Sequence, residues 1–237
     1  MKNTSTRLII IVFAVAFCAC CRSLATASEP ASTIVRVEED WVAYVRNPNS
    51  DTCAPQIVNF LSPTGTAVGP FGLIELNHGS KPDFRSGGFQ VQTWVNDTKY
   101  SHASSSETSR LSRNYDKLTY TVAMEINGDH LRFSLKNGGS RTWGRFATTG
   151  IIATAPRYSL DLSNYDPQAS VNNTTVNVGA HRIDVLAQLE TRYYNSTELL
   201  KTDTTDRVIH RFQDLVSFVS LEEYELNTDE YNIDITE

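Results

Sequence analysis

The chain has 237 residues, 40% of them hydrophobic, and carries 21 Lys and Arg against 27 Asp and Glu, a formal charge of −6. That is enough apolar mass for one full-size domain. An acidic chain with no basic block repels phosphate backbones, which excludes nucleic acid as a partner.

The first predicted element is a leader. Lys2 and Arg7 form a positive start, residues 8–17 are unbroken apolar, and Ala25-Thr26-Ala27 is a small-x-small cleavage site, the pattern of a secretory signal over residues 1–27. The apolar run is shorter than the roughly 20 residues a bilayer requires. No second run of that length follows, so the expected product has no membrane span and is secreted or held in the periplasm or cell envelope. Phe17-Cys18-Ala19-Cys20 resembles a bacterial lipoprotein box, which makes a lipid anchor the alternative exit. Residues 1–27 hold three of the 21 basic residues and none of the 27 acidic ones, leaving 18 against 27 and a charge of −9 beyond the leader. Of the cysteines only Cys53 remains after cleavage. It has no partner for an internal disulfide and no local base to activate it, so it is expected to be structural.

Residues 33–37 and 41–45 are predicted strands, separated by Glu38-Glu39-Asp40. Residues 47–55 are loop by composition, 56–61 and 71–77 are strands, and 89–95 is a strand with Phe89, Val91, Thr93 and Val95 on one face. Its other face carries Gln90, Gln92 and Trp94. Residues 96–113 are expected to be a Ser-rich loop. Residues 118–126 and 129–135 alternate on either side of Asn127-Gly128, the strongest short-range hairpin signal. With those two as the loop, Ile126 opposes Asp129 and Met124 opposes Leu131, so Tyr120, Val122, Met124, Leu131, Phe133 and Leu135 share a dry face. Glu125, His130 and Arg132 fall on the wet one. A further strand is expected over 141–146, a strand over 158–162, loop over 164–173 and a long strand over 182–194. Residues 204–219 fit a helix or a strand, and 221–237 form an acidic tail with seven acids and no base. Short strands with regular turns imply an all-β sandwich or barrel.

Glu75-Leu-Asn77, Pro82-Asp-Phe84, Gly87-Gly-Phe-Gln90-Val-Gln92-Thr-Trp94, Leu135-Lys-Asn-Gly-Gly-Ser140 and Thr142-Trp-Gly144 resemble the laminin-G-like, concanavalin A-type jelly rolls of exported bacterial proteins. The likeness spans residues 33–220. It implies two stacked antiparallel sheets, one concave, with the concave face binding or cleaving glycans. Fold alone does not transfer function.

The best candidate surface is Gln90, Gln92 and Trp94, with Glu75 and Asn77 from the neighbouring strand. Two amides argue for a wet face, because burying each unpaired costs roughly 1–3 kcal/mol. A tryptophan beside them supplies a flat plate for a sugar ring; Trp143 is a second such plate. Glu125, His130 and Arg132 form a second group, in which a carboxylate and an imidazole within reach are suited to acid–base work. Glycan hydrolysis in laminarinase-like jelly rolls uses Glu-x-Asp-x-x-Glu on one strand, and no strand has that run. His-Glu-x-x-His, Gly-x-Ser-x-Gly and phosphate-loop patterns are also absent. Asp161, Asn164, Asp166, His181 and Asp184 are the residues a calcium reading would use, in an order that resembles the metal loop of legume lectins. The halves stand too far apart and the paired acids before them are missing. No cofactor is therefore expected, with calcium as the alternative. The expected activity is non-catalytic binding of carbohydrate or a cell-envelope partner. The rivals are a polysaccharide lyase or glycoside hydrolase on the same face, and a structural or adhesion module with a protein partner.

Overall fold

The computed structural model describes residues 33–79 and 86–211; the leader and the acidic tail lie outside them. The chain runs through β1 (Arg36–Val45), β2 (Gln56–Leu61), β3 (Pro70–Leu76), β4 (Phe89–Val95), β5 (Thr98–Ser104), β6 (Asp116–Asn127), β7 (His130–Ser140), β8 (Gly144–Phe146) and β9 (Ile151–Pro156). It continues through α1 (Pro167–Asn173), β10 (Thr175–Val178), a 3-10 turn, β11 (Ile183–Tyr194), β12 (Leu199–Asp203) and β13 (Arg207–Arg211). Two antiparallel sheets result. One has the order β12-β11-β1-β6-β7-β8, with β13 also pairing β11 and β9 also pairing β7; the other is β10-β2-β3-β4-β5. The architecture is an all-β sandwich.

The core lies between the sheets. Val37, Trp41, Ala43 and Val45 of β1, Ile57 and Leu61 of β2, Ile74 and Leu76 of β3, and Phe89 and Val91 of β4 point inward. So do Tyr120, Val122, Met124, Leu131, Phe133 and Leu135, the dry face expected of the hairpin. The sheets are close enough that Phe133 lies against the backbone of Gly72, where a Cβ would sit 2.4 Å from a ring carbon. At the β4–β5 edge β9 closes over them, with Thr93 Oγ1 and Ser101 Oγ both donating to the Thr154 carbonyl at 2.7 Å.

The hairpin's register departs from expectation by two residues. Asn127 pairs with His130, Ile126 with Leu131 and Glu125 with Arg132, so the loop is Gly128-Asp129. Gly128 alone of the two has positive φ, at 60°, as in a turn with glycine at its first central position. A two-residue shift preserves the faces, which is why the dry side survives the correction.

Other expectations change more. Glu38-Glu39-Asp40 is not a break but the middle of β1. The loop expected over 96–113 begins with β5, folded back on β4 by a turn at Asn96, whose φ is 53°. Residues 141–143 are a turn rather than strand, β9 lies at Ile151–Pro156 rather than over 158–162, and residues 207–211 are strand. Part of the expected loop over 164–173 is α1. Asp166 caps it by accepting from the Gln168 N–H at 2.9 Å, and Pro167 opens it, both standard N-terminal devices. The helix and the chain before it cover the part of the wide sheet that the narrow sheet leaves bare, burying Leu162, Tyr165 and Val171.

Candidate functional site

The outward side of the five-stranded sheet is built by period-2 alternation opposite the inward residues. Register sets Val58 beside Glu75 and Gln90, Phe60 beside Leu73 and Gln92, and Phe71 beside Trp94. Lys99 and His102 of β5 flank Trp94 and Gln92. The rings form a row: Phe60 and Phe71 stack at 5.4 Å, Phe71 and Trp94 at 6.4 Å and 9°.

Beside this row, Glu75 Oε2 accepts from Gln90 Nε2, and Glu75 Oε1 accepts from Gln92 Nε2 at 3.0 Å. The sequence implied a wet face here; Glu75, Gln90 and Gln92 are instead 6%, 0% and 3% exposed. The amides tolerate burial because a carboxylate on the adjacent strand receives one from each. Among the described residues two buried atoms in the strip have no hydrogen-bond partner, Gln90 Oε1 and Trp94 Nε1.

The remaining predicted residues sit elsewhere. Asn77 lies past the end of β3 with φ 56°. It clasps two loops, donating to the Pro55 carbonyl at 2.8 Å and accepting from the Leu111 N–H at 3.0 Å. Glu125 faces Arg132 directly, at 3.4 Å and about a third exposed, not His130 as expected; such a pair contributes about 0–1 kcal/mol. All three lie on the outward side of the other sheet, so they are not one site with Trp94. Trp143 is no platform: it is buried edge-on to Phe89 at 4.6 Å, and its Nε1 donates to the Ser109 carbonyl. Cys53 is buried and free. The residues of the calcium reading are used separately, Asp166 as the helix cap and Asp184 with Arg46 at 3.1 Å. Among the described residues no three His, Cys, Asp or Glu stand together as metal ligands.

A second polar centre escaped the sequence reading. Glu39, fully buried, points into the core from β1. It accepts from Tyr165 Oη at 2.5 Å and Trp41 Nε1 at 3.1 Å, and lies 2.9 Å from Ser170 Oγ. Burial pushes its carboxyl up to about 7, against the pull of hydrogen bonds with Tyr165, Ser170 and Trp41. The alternation Val37-x-Glu39-x-Trp41-x-Ala43 carried the signal. Its neighbours Glu38 and Asp40 face outward instead. Burial raises the Glu38 carboxyl, but Lys136, Arg36 and Arg192 outweigh this and hold it below the usual range.

Comparison with family models, with curated proteins and with solved structures yields no match, so the functional reading rests on this geometry.

Proposed function

We propose that this is an exported, non-catalytic binding module that takes carbohydrate or a glycan of the cell envelope on the outward side of its five-stranded sheet. In this reading the fold is a concanavalin A-type jelly roll and that sheet is its concave one. The supporting observation is the strip itself. An aromatic row ending in the half-buried Trp94 runs beside a Glu75–Gln90–Gln92 network. In this reading the half-buried Trp94 is the plate for a sugar's apolar face, and the buried Phe60–Phe71 pair and Glu75–Gln90–Gln92 network hold it from beneath. Glu75 works here as an acceptor locked by two amides, which suits orientation rather than proton transfer.

A glycan array run with and without calcium tests the reading. Trp94→Ala is expected to weaken retention at least about tenfold, equivalent to about 1.4 kcal/mol, while thermal stability changes little. Unchanged retention in the variant, or no glycan retained by the parent protein, overturns it.

A further inference from the structure

The proton count around Glu39 carries an inference independent of any ligand. Ser170 has one hydroxyl proton and two neighbours that want it: Glu39 Oε2 at 2.9 Å and the Phe60 carbonyl at 2.8 Å. A carbonyl can only accept. Phe60 turns both of its backbone groups to the end of α1, since its N–H donates to Thr174 Oγ1 at 3.2 Å. If Ser170 donates to the carboxylate, the Phe60 carbonyl is left unpaired in the core. If it donates to Phe60, two acceptor oxygens face each other unless Glu39 brings a proton.

We propose that Glu39 is held as the neutral acid and donates to Ser170 Oγ, which donates to the Phe60 carbonyl. The chain Glu39–Ser170–Phe60 is then a proton-dependent clasp joining the wide sheet, α1 and the narrow sheet. The groups facing Glu39 do not all favour this state: hydrogen bonds from Tyr165, Ser170 and Trp41 and the charge of Arg207 pull toward the carboxylate, and burial outweighs them. Tyr165 and Trp41 donate to it from the chain before α1 and from β1. Tyr120 of β6 and Tyr193 of β11 face it as neutral phenols raised by burial, and Tyr165 is raised likewise. Arg207 of β13 is the cation that acts on it, but its guanidinium is engaged by Asp203 at 2.7 Å and Gln188 at 3.0 Å. Thr191 lies opposite Glu39 on β11, and Asn59 and Gln188 are buried uncharged groups of the same protein core. The raised carboxyl described above supports the same protonation state. Phe60 also starts the aromatic row, so the clasp touches the proposed binding face; that link alone rests on the preceding reading.

The sign follows from linkage. The folded state keeps a proton between about pH 4.5 and 7 that the unfolded chain has released, so stability falls as pH rises through that window and levels off above it. The test is a carboxyl-carbon NMR titration of the full protein, with unfolding equilibria at pH 5 and pH 8 for the parent protein and Glu39→Gln. The expected result is one glutamate with a midpoint near 7 and a Glu39-dependent fall of more than about tenfold in the folding constant. In Ser170→Ala the α1 amides should show at pH 5 the same protection factors, corrected for the pH dependence of intrinsic exchange, that they show at pH 8 in the parent protein. A parent spectrum with every glutamate titrating below pH 5, or an equal fall in Glu39→Gln, overturns the clasp. The parent titration decides even where a variant does not fold, and neither readout involves glycan.

Discussion

Replacing Phe133 by alanine is expected to lower the unfolding free energy by about 3–5 kcal/mol, the range for emptying an aromatic site in a packed core. The ring is fully buried at the centre of the stack and belongs to the dry face of the β6–β7 hairpin. Its partner across the interface is the bare backbone of Gly72. A Cβ there would meet Phe133 Cδ1 at 2.4 Å and Cγ at 2.7 Å, so Gly72→Ala should cost about 1–3 kcal/mol by overpacking. Combined with Phe133→Ala, the same change adds a methyl to an emptied space. The double mutant should therefore be more stable than the two losses predict when added. Urea unfolding of the four proteins measures this. Additive losses would mean that β3 and β7 do not face each other.

Asp116→Ala is expected to cost about 3 kcal/mol, because three donors lose a buried acceptor at once. Asp116 is fully buried. Its Oδ1 accepts from the Arg141 N–H at 2.6 Å; its Oδ2 accepts from the Thr142 N–H at 2.8 Å and Thr142 Oγ1 at 2.6 Å. That grip shapes the turn between β7 and β8 that delivers Trp143 to Phe89 and Phe146. Asp116→Asn should recover little, since one end of an amide donates and would face donors. Near-ultraviolet circular dichroism of Trp143 and denaturant midpoints check both variants; full stability in Asp116→Asn would contradict the geometry.

Much of the scaffold was legible in the sequence. The bounds of β2 and β4 follow from apolar runs closed by turn residues. The faces of β6 and β7 follow from alternation, which a two-residue change of register leaves intact. What failed has physical causes. β5 holds only Tyr100 and Ala103 among polar residues and none of its side chains is buried, so it has no readable hydrophobic period and is a strand because β4 pairs with it. α1 reads as loop in the sequence because its Asp166-Pro167 start opens a helix of only seven residues, a single short element whose stability comes from packing. Glu39 was hidden by its acidic neighbours, and the residues that satisfy it, Tyr165 and Ser170, lie 126 and 131 positions away in the chain.

Of the predicted site residues, Gln90, Gln92 and Trp94 were placed together correctly by period 2, and Glu75 joins them across the β3–β4 ladder. Asn77 shares their parity, but its left-handed backbone turns it into a loop clasp. The inference from two glutamines to a wet face failed because a single strand cannot reveal the carboxylate beside it.

In the proposed function, ligand sits on the outward side of the five-stranded sheet. Amide hydrogen exchange of the protein with and without a glycan it retains tests this most directly. The expected result is slowed exchange along β4 and β5 near Gln92, Trp94 and Lys99. Slowing confined to Glu125–Arg132 on the opposite sheet would contradict it.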